Sequence, residues 1–279
     1  MYYDGLTVSK QSSTKEMDKT LQREINLAKN IQATLLNGST PKINKGEVIG
    51  SSLPARLIGG DYYDFYPLAN GKIRIVIGDV MGKGIPAAML MILTRGAFRT
   101  AAESMSSPGA TLTAMNQALY NDLRKLKSFV TLFCADWDPD TEILTYANAG
   151  HNMPLYINGD NREVTLLPKV KGIMVGGLPN QVYKEETIKL KNNDTVFFYT
   201  DGIVEAQNKA GDQYQLERLT RILENHQDSG VGAIEKSVID SVHSFMDGAL
   251  QKDDITMVVL KLTYENSNIT SLNSPVLNV

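Results

Sequence analysis

Cysteine is almost missing from this 279-residue chain: Cys134 stands alone, so no disulfide can close within it and no zinc site can be built from cysteine ligands. A lone cysteine in the apolar stretch 129–135 reads as an inert core residue. Histidine is also scarce, and His151, His226 and His243 are too scattered for a His-rich metal site. No stretch approaches the roughly 18 consecutive apolar residues of a membrane helix. The first ten residues lack the apolar block of a secretory signal, so the expected location is the cytoplasm, with no membrane partner. Neither sign of charge prevails, with 28 Lys and Arg against 31 Asp and Glu for a net charge of −3. Such a balance gives no electrostatic footprint for a phosphate backbone, so nucleic acid is not an expected partner. What is present is ordinary globular composition, 42% hydrophobic, at a length that supports a large core without cross-links.

Periodicity divides the chain into four parts. Residues 1–13 show no sustained pattern and read as a disordered lead-in. Across 14–36, Met17, Leu21, Ile25, Ala28, Ile31 and Leu35 recur at helical spacing, one apolar stripe along about six turns. Two readings stay open, a helix packed on its own domain or a coiled-coil linker that pairs with a second copy. From 37 to 263 strand-like runs alternate with two pairs of helices. The strands are expected at 47–52, 64–67, 73–79, 129–136, 143–148, 155–157, 163–167, 186–189, 195–200 and 255–262. Helices are expected at 85–104, 110–125, 215–225 and 232–249, the first opened by Pro86. Strands in runs, joined by turns such as Asp138-Pro-Asp-Thr141 and Asn158-Gly-Asp160, imply antiparallel sheets packed face to face and covered by helices, an α+β fold. Residues 264–279 are polar and read as a disordered tail. The Met81, Met89 and Met91 group, Trp137 and the Tyr62-Tyr63 pair all read as core filling.

The chemistry shows in four short stretches where Asp stands beside Gly or another Asp at a strand edge: Gly59-Gly60-Asp61, Gly78-Asp79-Val80-Met81-Gly82-Lys83-Gly84, Thr200-Asp201-Gly202 and Lys252-Asp253-Asp254. Each alone is explained as a turn. Four in one domain point further, because converging strand ends would gather carboxylates that need cations to neutralise them. Hard oxygen ligands without His or Cys select Mg²⁺ or Mn²⁺ over zinc.

In order along the chain, Gly60-Asp61, Gly78-Asp79-Val80-x-Gly-Lys-Gly84, Asn148-Ala-Gly-His151-Asn152, Thr200-Asp-Gly202 and Asp253-Asp-Ile-Thr256 resemble the metal-dependent Ser/Thr phosphatases of the 2C type, the PPM superfamily. The likeness is to the SpoIIE/RsbU/RsbP branch and spans residues 27–262. It implies a four-layer α-β-β-α sandwich, two antiparallel sheets flanked by helices and preceded by the linker helix, with a centre for two Mn²⁺ or Mg²⁺ ions at one end. Asp61, Asp79, Asp201 and Asp253 match the ligand aspartates, and Val80 matches the residue whose carbonyl completes a metal shell. Neighbouring strand side chains point to opposite faces, so one of Asp253 and Asp254 is expected to enter the cleft; the resemblance implies Asp253, which aligns with the Asp of the Asp-Asn-x-Thr form found elsewhere in the superfamily. The His that follows the second ligand Asp in animal members is replaced here by Val80 and Met81, which leaves the leaving-group acid unassigned. Arg56 and Lys83 are weak candidates for holding phosphate, and His151 reads as a buried structural residue.

The implied activity is removal of phosphate from Ser or Thr of a STAS-domain anti-sigma-factor antagonist, in bacterial stress or developmental partner switching. An upstream sensor acting through helix 14–36 would gate it. The rival reading is a catalytically silent module that binds a phosphoprotein; a nuclease would be expected to bring a basic surface that the composition lacks.

Overall fold

The computed structural model describes residues 4–36 and 40–264. Ten strands form two five-stranded antiparallel sheets. The first has the order β1 (Gly46–Leu53), β10 (Ile255–Leu262), β9 (Thr195–Tyr199), β6 (Leu155–Ile157) and β7 (Val164–Leu166). The second has the order β2 (Tyr62–Pro67), β3 (Ile73–Val80), β4 (Val130–Asp138), β5 (Ile143–Ala149) and β8 (Glu185–Lys189).

Alternation along the strands builds three cores. Ile73, Ile75 and Ile77 of β3, Val196 and Phe198 of β9, and Val258, Leu260 and Leu262 of β10 meet between the sheets, around the fully buried Trp137. The intervening residues turn outward to helices. Val76 and Val80 pack under α2 (Ile85–Ser104) and α3 (Pro108–Lys125) through Met91, Phe98, Leu112 and Met115. Phe197, Met257 and Val259 pack under α5 (Gln215–Asn225) and α6 (Val231–Met246) through Leu219, Leu223, Val238 and Val242. Strands buried on both faces explain the near-continuous apolar runs of β3, β9 and β10. The layers are helices, sheet, sheet, helices, as the resemblance implies. The two hairpin turns are held by side chains acting as local acceptors: Asp138 Oδ1 takes the Asp140 N–H at 3.0 Å, and Asn158 Oδ1 takes the Asp160 N–H at 2.8 Å.

Several expectations are corrected. Helix α1 runs Asp4–Leu36, so it extends through most of 1–13 in place of a disordered lead-in. No proline interrupts that stretch, and each added residue closes one more backbone bond once the helix exists. Of the expected tail 264–279, all but Tyr264 lies outside the described residues. A four-residue helix α4 (Asp201–Val204) and a single 3₁₀ turn at Ala69–Gly71 were not foreseen, being too short to show a period. Met91 is buried, but Met81 and Met89 are exposed and fill no core.

At one end of the second sheet, fully buried Arg74 donates to Asp136 through Nε and Nη2, each at 2.7 Å. Its Nη1 reaches Thr111 Oγ1 at 2.6 Å and the Met105 carbonyl at 3.0 Å, tying β3 and β4 to the α2–α3 junction. Removing one partner strands the other charge. Asp136→Ala should therefore lower the unfolding free energy in urea by about 3–5 kcal/mol, and Arg74→Met with Asp136→Leu should cost much less. A single variant within about 1 kcal/mol of the parent would overturn this assignment.

Candidate active site

Four chain segments meet at the other end of β3, because antiparallel pairing delivers the start of β2 and the end of β3 side by side, with Tyr62 opposite Gly78. Asp61 precedes β2, Asp79 and Val80 close β3, Asp201 opens α4 just after β9, and Asp253 and Asp254 precede β10. Asp61 is buried, and its Oδ2 accepts from Thr200 Oγ1 at 2.7 Å, while Thr200 Oγ1 accepts the Thr256 N–H at 3.1 Å. That short chain of bonds locks both sheets together beneath the cluster.

The paired aspartates diverge. Asp254 turns inward, and its carboxylate accepts the N–H groups of Ala55 and Gly60, each at 2.7 Å, and of Asp61 at 3.4 Å. Asp253 is partly exposed and accepts from Lys83 Nζ at 2.6 Å. Both precede β10, so the direction is set by these partners rather than by strand alternation. Behind Asp61, the buried side chain of Gln32 on α1 binds the Gly59 backbone twice: Nε2 donates to the carbonyl at 2.8 Å, and Oε1 accepts the N–H at 3.1 Å. Thr200 stands in a quoted motif but its bond to Asp61 was not foreseen, and Gln32 and the backbone role of Asp254 carry no motif of their own. Gln32 looks like an ordinary polar residue of a helix, and its partner is 27 residues away in sequence.

Electrostatics mark the cluster as unfinished. Burial raises the Asp61 carboxyl well above the usual carboxylate range, and the charge of Asp79 adds to this. Asp79 is pushed up to about 7, first by burial and then by the charges of Asp201, Asp253 and Asp254. Burial also raises Asp201, followed by Glu205 and Asp253, with Lys83 acting in the opposite direction. Among the described residues no three His, Cys, Asp or Glu side chains converge closely enough to hold an ion as they stand. The donor set nonetheless fits a hard cation, being all oxygen and mutually repelling. Next to Asp61, a Cβ on Gly60 would come within 3.1 Å of the Val80 carbonyl oxygen, so glycine leaves space over that acceptor.

His151 is buried, with Nδ1 2.9 Å from Thr131 Oγ1 and its backbone N–H donated to Asn148 Oδ1 at 2.7 Å. Burial lowers its pKa to about 4, so it stays neutral and serves structure. Arg56 is exposed and lies against the turn at Gly84, where a Cβ would stand 3.3 Å from its Nη1.

A family model described as Stage II sporulation protein E (SpoIIE) matches residues 69–263. The chain belongs to the SpoIIE family. It is therefore a PP2C-type Ser/Thr protein phosphatase, of a metal-dependent family. Asp61 lies before the matched stretch, whereas Asp79, Asp201 and Asp253 lie inside it. The phosphoserine phosphatase RsbU of Bacillus subtilis is 30% identical over 260 residues, 92% of this chain and 75% of RsbU. Two further curated relatives are longer, and the chain spans 41% and 58% of them. Among solved structures, the SiaA-PP2C domain of Pseudomonas aeruginosa superposes with a TM-score of 0.77 at 22% identity, over 88% of this chain and 98% of that one. RsbX in complex with magnesium shares the fold with a TM-score of 0.60 at 17% identity, over 80% and 98%.

The two neighbouring aspartates should separate cleanly on mutation. Asp254→Ala leaves buried N–H groups without an acceptor and should cost about 1–3 kcal/mol of stability in urea. Asp253→Ala should change stability by less than about 1 kcal/mol, since it removes a half-exposed ion pair. The reverse order would show that Asp253 carries the structural role.

Proposed function

We propose that Asp61, Asp79, Asp201 and Asp253, with the Val80 carbonyl, hold two Mn²⁺ or Mg²⁺ ions, and that the substrate is a phosphorylated STAS-domain anti-sigma-factor antagonist. The observation that carries the metal assignment is one end of the sandwich where carboxylates from four separate segments gather, and where burial and then neighbouring acidic charges raise Asp61, Asp79 and Asp201 above the usual carboxylate range. When bound, such ions lower the pKa of a water toward neutrality and polarise the phosphoryl group. The chain's own residues orient the ligands: Thr200 fixes Asp61, Asp254 holds the Gly60-Asp61 turn, and the Asp79-Val80 step is set by pairing of β3 with β4. The magnesium bound to RsbX supports a hard cation on this fold. The kinship with a phosphoserine phosphatase supports a phosphoserine protein as substrate, and through the branch resemblance a partner-switching antagonist in the cytoplasm.

Asp79→Asn and Asp201→Asn should each reduce Mn²⁺-dependent hydrolysis of p-nitrophenyl phosphate and of a phosphoserine STAS protein below a tenth of parent kcat, equivalent to about 1.4 kcal/mol of barrier. Far-UV circular dichroism should stay unchanged. Either variant retaining more than a tenth would leave the ligand set. Hydrolysis of p-nitrophenyl phosphate without hydrolysis of the STAS protein would remove the substrate assignment. Tight capture of that protein with no turnover by the parent would favour the silent-module reading.

A homodimer through α1 is also proposed, on the observation that Met17, Leu21 and Ile31 are 68%, 52% and 60% exposed. The stripe thus lies unpacked except near Gln32 and Leu36, as a seam awaiting a second copy or an upstream sensor would. Leu21→Asp with Ala28→Asp should shift the sedimentation mass from dimer to monomer and lower activity more at limiting than at saturating Mn²⁺. A monomeric parent with the same metal dependence as the variant would remove the dimer.

A further inference from the structure

The cluster already contains a cation of the protein's own. Lys83 lies between β3 and α2 on a turn whose neighbours Gly82 and Gly84 both have positive φ, 103° and 71°. This backbone, unfavourable for other residues, projects the side chain back across the mouth of the site. There Lys83 Nζ donates to Asp253 Oδ2 at 2.6 Å and to the Lys252 carbonyl at 2.7 Å. The ammonium is half exposed, and its field reaches Asp201 as well. Lys252 Nζ, next in sequence to Asp253, donates to Gln207, and Arg56 lies against Gly84.

We propose that Lys83 is a tethered counter-cation that competes with the divalent ion for Asp253, so that metal binding on this side of the site is an exchange of one cation for another. The inference rests on Asp253 being a metal ligand. An ammonium seated on Asp253 Oδ2 occupies part of the carboxylate and repels a divalent ion approaching the rest of it, so the two cations compete for Asp253. Because Lys83 is covalently attached, its effective concentration at Asp253 does not fall on dilution, and the apparent metal affinity is weakened by the fraction of time the ammonium is seated. Without divalent metal, the same contact relieves repulsion among Asp253, Asp201 and Asp79 and stabilises the fold. Lys83 thus sets the metal concentration at which the site fills, with no contact to substrate required. Arginine could keep the charge, whereas Met keeps the length and volume without it.

Calorimetric titration of the metal-stripped chain with Mn²⁺ tests this, on the parent and on Lys83→Met, Lys83→Arg and Asp253→Asn. Lys83→Met should bind at least about tenfold more tightly at the site that Asp253→Asn abolishes, with Lys83→Arg close to the parent. In EDTA, Lys83→Met should melt below the parent, opposite in sign to its gain in metal affinity. In the parent, the ¹⁵Nζ–H signal of Lys83 should be protected in EDTA and lost to solvent exchange on adding diamagnetic Mg²⁺. Unchanged or weaker Mn²⁺ affinity in Lys83→Met, with Asp253→Asn still losing a site, overturns the exchange and leaves the ligand assignment standing. Full Mn²⁺ binding by Asp253→Asn overturns the ligand assignment itself. If Lys83→Met fails to fold, Lys83→Gln and the Nζ signal decide the same question.

Discussion

Repulsion between carboxylates of like charge is the constraint around which this molecule is organised. Asp61, Asp79, Asp201 and Asp253 arrive from four segments, and no two of the four are closer than 18 residues in sequence. Gathering them costs free energy that the rest of the fold must offset, and three interlocking apolar cores do so by burying both faces of β3, β9 and β10. The strain of the arrangement is concentrated at a strand end, where backbone hydrogen bonds run out and side chains can move without breaking a ladder. Function thus sits at the end of a strand buried on both faces rather than inside it.

The two ends of β3 resolve charge in opposite ways. At Arg74 the charge is buried, paired bidentately with Asp136 and tied by two further hydrogen bonds to Thr111 and Met105. Asp64 is treated similarly by Arg99. At Asp79 the partners are other acids, and the balance is left to solvent, to Lys83 and to whatever cation enters. A site can be recognised here by what its neighbours fail to neutralise.

Much of this was legible from residue order. Helices 85–104 and 215–225 and strands 155–157 and 255–262 were readable to the residue, the helices from their apolar spacing and the strands from short apolar runs that end at polar residues or turns. The acidic motifs were legible as a group through their shared Asp-Gly chemistry. The contacts that hold them were not. Thr200 looks like any strand-end threonine until Asp61 is placed opposite it, and Gln32 looks like a solvated helix residue until Gly59 is beneath it. Met81 and Met89 were also misread as core filling, since Met81 lies on the turn before α2 and Met89 on an exposed side of that helix. The start of α1 at Asp4 was missed because residues 4–13 carry no apolar stripe and no proline to mark it.

That helix has a mechanical consequence. A 33-residue helix is about 50 Å long, and among its residues from 17 onward Gln32 is the buried one, close to the domain end. It is therefore a long arm with a short foot. The foot rests on the Gly59 backbone, two residues from Asp61, so a force applied far along the arm is delivered with leverage to two hydrogen bonds beside the acidic cluster. Those bonds grip main chain, and the position stays glycine because a Cβ there would collide with Asp254 Oδ2. Whatever holds the far end of α1 thereby gains purchase on the position of a single carboxylate.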